Sequence, residues 1–126
     1  MDIFEALTPK VSRIEIKHPG TGQGTGLFLD LVSVSDPKVK AAERAYLDKL
    51  QSESAEKGVR VPPDANALAR IKARAALVGC EFTGEASWRG DKPKFSEKLA
   101  DDLIANEKVF EQIIIHVADD RNFFPA

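Results

Sequence analysis

The sequence predicts an α+β fold, an N-terminal antiparallel β-hairpin packed on a bundle of about three to four α-helices. Three observations carry it. Apolar residues alternate with polar ones over residues 11–17 and again over 26–35. Helical apolar stripes take over from residue 36 onward. Three of those stripes open on a capping residue, Asp36, Asp64 or Ser96. Period two marks a half-buried strand, and a period near 3.6 marks an amphipathic helix.

In the first strand Ile14 and Ile16 share one face and Arg13, Glu15 and Lys17 the other. In the second, Leu27, Leu29 and Leu31 alternate against Phe28, Asp30 and Val32. The connection from His18 to Thr25 is glycine-rich and longer than a tight two-residue turn. A lone hairpin is marginal in water, so its apolar face requires helical cover. Asp36-Pro37 starts the first helix with an N-cap acid and a proline at the first helical position. Val39, Ala42, Tyr46 and Leu50 form its stripe, which runs to about Ser54. Gly58, Pro62 and Pro63 end that helix, and Asp64 caps the next. Leu68, Ile71, Ala75 and Val78 then give a narrow stripe stopped by Gly79, with Arg70, Lys72 and Arg74 on a solvated face. Residues 81–95, holding Gly84, Trp88, Gly90 and Pro93, read as a loop or a small irregular hairpin. Ser96 caps a third helix with Leu99 and Leu103 inward. Beyond Asn106, a fourth segment carries Val109, Phe110, Ile113, Ile114 and Val117. The division is thus one domain over 1–126, with the hairpin at 10–35, two helices at 36–80, a loop at 81–95 and C-terminal helices at 96–124.

At 126 residues the chain has enough length for one modest core without disulfides. With 43% hydrophobic and 30% charged residues, it resembles neither disordered nor membrane proteins. Its most apolar stretch, 109–117, is interrupted by Glu111, Gln112 and His116 and is far short of the roughly 20 residues a bilayer requires. The acidic N-terminus shows no secretory signal, and the single Cys80 suits a reducing compartment. A net charge of −2, from 18 basic and 20 acidic residues, supplies no general attraction to phosphate backbones.

Motifs for chemistry are sparse. The Gly20-Thr21-Gly22-Gln23-Gly24-Thr25-Gly26 loop lacks the spacing of a dinucleotide fingerprint and precedes a strand rather than a helix. His18, His116 and Cys80 do not have metal-site spacing, and a lone cysteine is most simply a small buried apolar residue. Asp101-Asp102 and Asp119-Asp120 are adjacent pairs whose side chains diverge on a helix. The expectation is a non-enzyme with no cofactor and no metal. Trp88 beside Arg89 reads either as a loop anchor or as a stacking group for a partner. The closing Phe123 and Phe124 must dock on the domain or meet a partner, since two large apolar rings do not suit a fraying terminus.

The order of motifs resembles the tail assembly chaperones of long-tailed, siphovirus-type phages and prophages. The likeness rests on Lys94-Phe95-Ser96-Glu97-Lys98-Leu99-Ala100-Asp101-Asp102-Leu103-Ile104, then Val109-Phe110, Ile113 and Val117, and the closing Ala118-Asp119-Asp120-Arg121-Asn122-Phe123-Phe124. The His18-Pro19-Gly20-Thr21-Gly22 turn, the Gly26-Leu27-Phe28-Leu29-Asp30-Leu31 strand and the Asp36-Pro37 helix start agree in kind. The resemblance implies a factor in the bacterial host cytoplasm that binds the tape measure protein, recruits tail tube protein and is missing from the mature virion. The chain departs from the family pattern at Cys80, where a tryptophan is usual, so no role for Trp88 comes from the resemblance; read from the residues themselves, the candidate partner surface comprises Trp88, Phe110, Ile114, Arg121, Asn122, Phe123 and Phe124, with no nucleic acid and no membrane involved. A homo-oligomer is compatible with it. The alternative is a permanent minor adaptor component of the tail. A third class, a regulator binding nucleic acid through Arg70, Lys72 and Arg74, ranks last.

Overall fold

The computed structural model describes residues 1–125; residue 126 of the expected domain lies outside them. The order of elements is α1 (Ile3–Ala6), β1 (Ser12–Lys17), β2 (Gly24–Leu31), α2 (Pro37–Lys57), α3 (Ala65–Ala76), β3 (Leu77–Phe82), α4 (Glu97–Ala105) and α5 (Glu107–Val117), closed by a 3-10 turn, Asp120–Phe123. The fold is α+β, with an antiparallel sheet ordered β1-β2-β3.

The expected hairpin forms with Ile14 opposite Leu29 and Ser12 opposite Leu31. Ile16, Leu27, Leu29 and Leu31 are buried on one face, as their alternation requires. The unexpected element is β3. The sequence places its residues at the end of a helix and the start of a loop, but α3 stops at Ala76 and Leu77 turns directly into extended backbone (φ −78, ψ 110). Of the expected stripe only Ala75 is buried, with Leu68, Ile71 and Val78 half-buried, and the buried positions here are Ala73, Ala75, Ala76 and Leu77. The cause is non-local: β2 would otherwise have an unpaired second edge, and β3 satisfies its backbone donors and acceptors. Gly79 therefore does not terminate a helix. A side chain there would meet Asp30 Oδ2 at 2.8 Å, so the glycine makes room for the carboxylate that pairs with Arg13.

The capping residues do what the sequence asks of them. Asp36 accepts from Lys38 N at 2.9 Å, Asp64 from Asn66 N at 2.9 Å, and Ser96 from Leu99 N at 3.1 Å. The first long helix extends past Ser54 to Lys57 and ends on Gly58 in the left-handed region (φ 68). Asn106 both ends α4 and caps α5, accepting from Lys108 N and Val109 N. The expected solvated face of α3 is corrected. Arg70 pairs with Glu107, Lys72 with Glu43 at 3.6 Å, and Arg74 with Glu97 and with Asp101 at 2.7 Å, so the three cations stitch α3 to α5, α2 and α4. One core joins the sheet residues Leu29, Leu31 and Leu77 to Ala73, Ala76, Leu103, Ile113, Val117 and Phe123.

Candidate functional site

Between β3 and α4 the chain makes a small hairpin over α4. Trp88 N donates to Asp91 O at 2.7 Å and Asp91 N donates to Trp88 O at 3.2 Å. The two residues between them, Arg89 (φ 55) and Gly90 (φ 84), both lie in the left-handed region, as a two-residue mirror-image turn demands. Glycine is at ease there, whereas arginine is not, and Arg89 is the one non-glycine with positive φ among the described residues. Asp102 on α4 holds the turn in place. One of its oxygens accepts the Trp88 indole N–H at 2.7 Å and the other accepts from Arg89 at 3.1 Å.

The result is an open groove of about 660 Å³ lined by Trp88, Pro93 and Leu99, with Arg89, Lys98 and Asp101 at its rim. Its carboxylates are engaged within the molecule, Asp101 by Arg74 and Asp102 by Trp88 and Arg89. Lys98 has no ion-pair partner among the described residues. Trp88 is half-buried against the core and still forms a wall of the groove, so the anchor and partner readings of this residue are compatible.

The other expected partner residues fall elsewhere. Phe123 is completely buried, which takes the docked alternative of the two left open for it, and Phe110 is nearly so, which corrects its place among exposed partner residues. Phe123 stacks edge-on against His116, with ring centroids 5.6 Å apart, and its carbonyl accepts from Lys10 N at 2.7 Å. The Arg70 guanidinium lies 4.3 Å from the centre of the Phe110 ring. Ile114 is half-buried between α5 and α3 and lines a shallow pocket with Leu68 and Val117. Arg121 is exposed and forks onto Asp119, and Asn122 donates to His116 O at 2.9 Å. Phe124 remains partly open. The C-terminal segment is thus mainly a staple, and it does not join Trp88 in one surface.

Ser12 Oγ lies 2.8 Å from His116 Nε2, the spacing of a nucleophile and its base. The Asp119 carboxylate that would orient the imidazole is instead bidentate to Arg121. Burial lowers the His116 pKa, with Asp119 acting the other way. The contact fastens α5 to β1. Burial, followed by the nearby Asp30 charge, pushes the Cys80 thiol up, away from the reactive thiolate. Among the described residues, no group of three or more His, Cys, Asp or Glu side chains is placed to hold a metal.

The N-terminus holds what the sequence analysis did not single out. Asp2 caps α1, accepting from Phe4 N at 3.0 Å, and Thr8 Oγ1 donates to Phe4 O at 2.6 Å. This ordered turn leaves Ile3, Phe4 and Leu7 exposed at 67%, 81% and 71%. The signal was present as an acidic cap followed by apolar residues at i, i+1 and i+4, too short to register as a helix. Comparison of the chain with protein-family models, curated proteins and solved structures finds no match. Among the described residues, no helix is long and apolar enough to cross a membrane.

Proposed function

We propose that this protein is a non-enzymatic tail assembly chaperone of a long-tailed phage or prophage. It binds the tape measure protein and brings tail tube subunits to it in the host cytoplasm, then departs before the particle is complete. The observation that carries the reading is the Trp88 turn clamped on Asp102 above an apolar groove. A rigid aromatic beside an arginine is a common anchor of protein recognition, and a groove along a helix accommodates the apolar face of a helical client. The motifs shared with the chaperone family include the start of α4, which forms the floor of that groove. The cations of α3 are occupied by carboxylates, which argues against the nucleic-acid alternative.

The test is a titration of the purified chain with its tape measure protein. Trp88→Ala, checked for native circular dichroism, is expected to weaken binding by more than about tenfold, and Phe124→Ala to leave it near wild type. Undiminished binding by folded Trp88→Ala would remove the groove from the proposal. Mass spectrometry of purified particles separates the chaperone, which is missing from them, from a permanent adaptor, which is present in stoichiometric amount.

A further inference from the structure

We propose that the groove between the Trp88 turn and α4 receives the N-terminal arm of a second copy of this chain, giving an arm-to-groove association. The arm and the groove are each unsatisfied alone and match in chemistry. The arm presents Ile3, Phe4 and Leu7 on a single capped turn, all more than two-thirds exposed. Residues 1–9 contain two acids, Asp2 and Glu5, and no lysine or arginine. The groove offers Trp88, Pro93 and Leu99 for the apolar side chains. Asp101 pairs with Arg74, which also holds Glu97, and Asp102 pairs with Arg89, so Lys98 is the lining cation without an ion-pair partner among the described residues and is the charge opposite Glu5 of the incoming arm.

A second pocket lies near the root of the arm, lined by Ile14, Lys17, Ile115, His116 and Asn122. Its charges are matched internally, Lys17 by Glu15 and Asp119 by Arg121, so it offers the acidic arm no counter-charge. The arm is anchored at its base by Lys10 N donating to Phe123 O and presents its apolar face to solvent in its own subunit.

Each copy gives one arm and accepts another, so the contact either closes as a reciprocal two-fold pair or a ring, or grows into short filaments. One turn in one groove buries less than the roughly 1,200–2,000 Å² of a stable interface, so the association is weak and concentration-dependent. The inference shares its groove with the proposed client site but requires no client. Self-association of the protein alone and client binding can therefore fail independently.

The experiment is sedimentation velocity of the full chain from micromolar to about millimolar concentration, spanning the range of weak contacts. Wild type is expected to shift progressively above the monomer. Phe4→Asp, on the exposed arm, and Lys98→Glu, on the exposed rim, are each expected to weaken association at least about tenfold. Mixing the two variants restores one intact arm and one intact groove and is expected to give a discrete one-to-one pair. A wild type that stays monomeric, association of Phe4→Asp equal to wild type, or variants that fail to pair when mixed would each overturn the proposal.

Discussion

Phe123 has no exposed surface although it lies three residues from the end of the chain, and its ring closes the core beside His116. Removing it leaves a cavity that a helix end tied to β1 cannot easily collapse. Phe123→Ala is expected to cost about 3–5 kcal/mol in chemical denaturation, whereas Phe124→Ala costs far less. His116 makes a second prediction at this scale. Its folded pKa lies below the ordinary 6.5 because burial disfavours the imidazolium. Between the two values the unfolded chain holds a proton that the folded chain does not. The His116 contribution to stability is therefore intact above about pH 7 and declines as pH falls through 6.5 toward the folded value. Melting temperatures from pH 7.5 to 5.5 should fall more steeply for wild type than for His116→Gln; equal slopes would show that this histidine does not couple to folding.

The helices are joined with little slack. Asn106 serves as the end of α4 and the cap of α5, so one side chain sets the angle between the two helices that carry Leu103, Ile104, Val109 and Phe110 into the core. Asn106→Ala is expected to cost about 0.5–2 kcal/mol by denaturant titration, with Asn106→Asp retaining most of the stability. The edge of β1 is protected in a comparable way. The Gln112 side chain on α5 accepts from Lys17 N at 2.7 Å and donates to Lys17 O at 3.0 Å, filling one position of a strand edge that would invite another strand. Legibility differed between elements for physical reasons. The caps at Asp36, Asp64 and Ser96 act on backbone groups two or three residues away, so their signal is local and was readable. β3 was not, because its extended state depends on pairing with β2 some fifty residues earlier.

At the scale of the molecule, the core draws on the sheet, Val39 of α2, α3, α4, α5 and the C-terminal turn but takes no side chain from α1. Deleting residues 2–9 is therefore expected to change stability by no more than about 0.5 kcal/mol in a thermal melt. A larger loss would mean that the arm is part of the folded body. Such an appendage separates recognition from stability, leaving the arm free to serve contacts outside its own subunit.

The α+β class, the hairpin faces, the helix starts and the prominence of Trp88 and the terminal phenylalanines were determined by the sequence, since periodicity and capping express interactions within a few residues. Tertiary structure alone decided which aromatic residue faces outward. Phe123 and Phe110 went into the core because α5, β1 and α3 meet there, while Trp88 reached a groove wall because Asp102, fourteen residues later, gave its indole N–H a partner. For these aromatic residues exposure depends on the distant elements that converge on the side chain, which the local pattern around each does not encode.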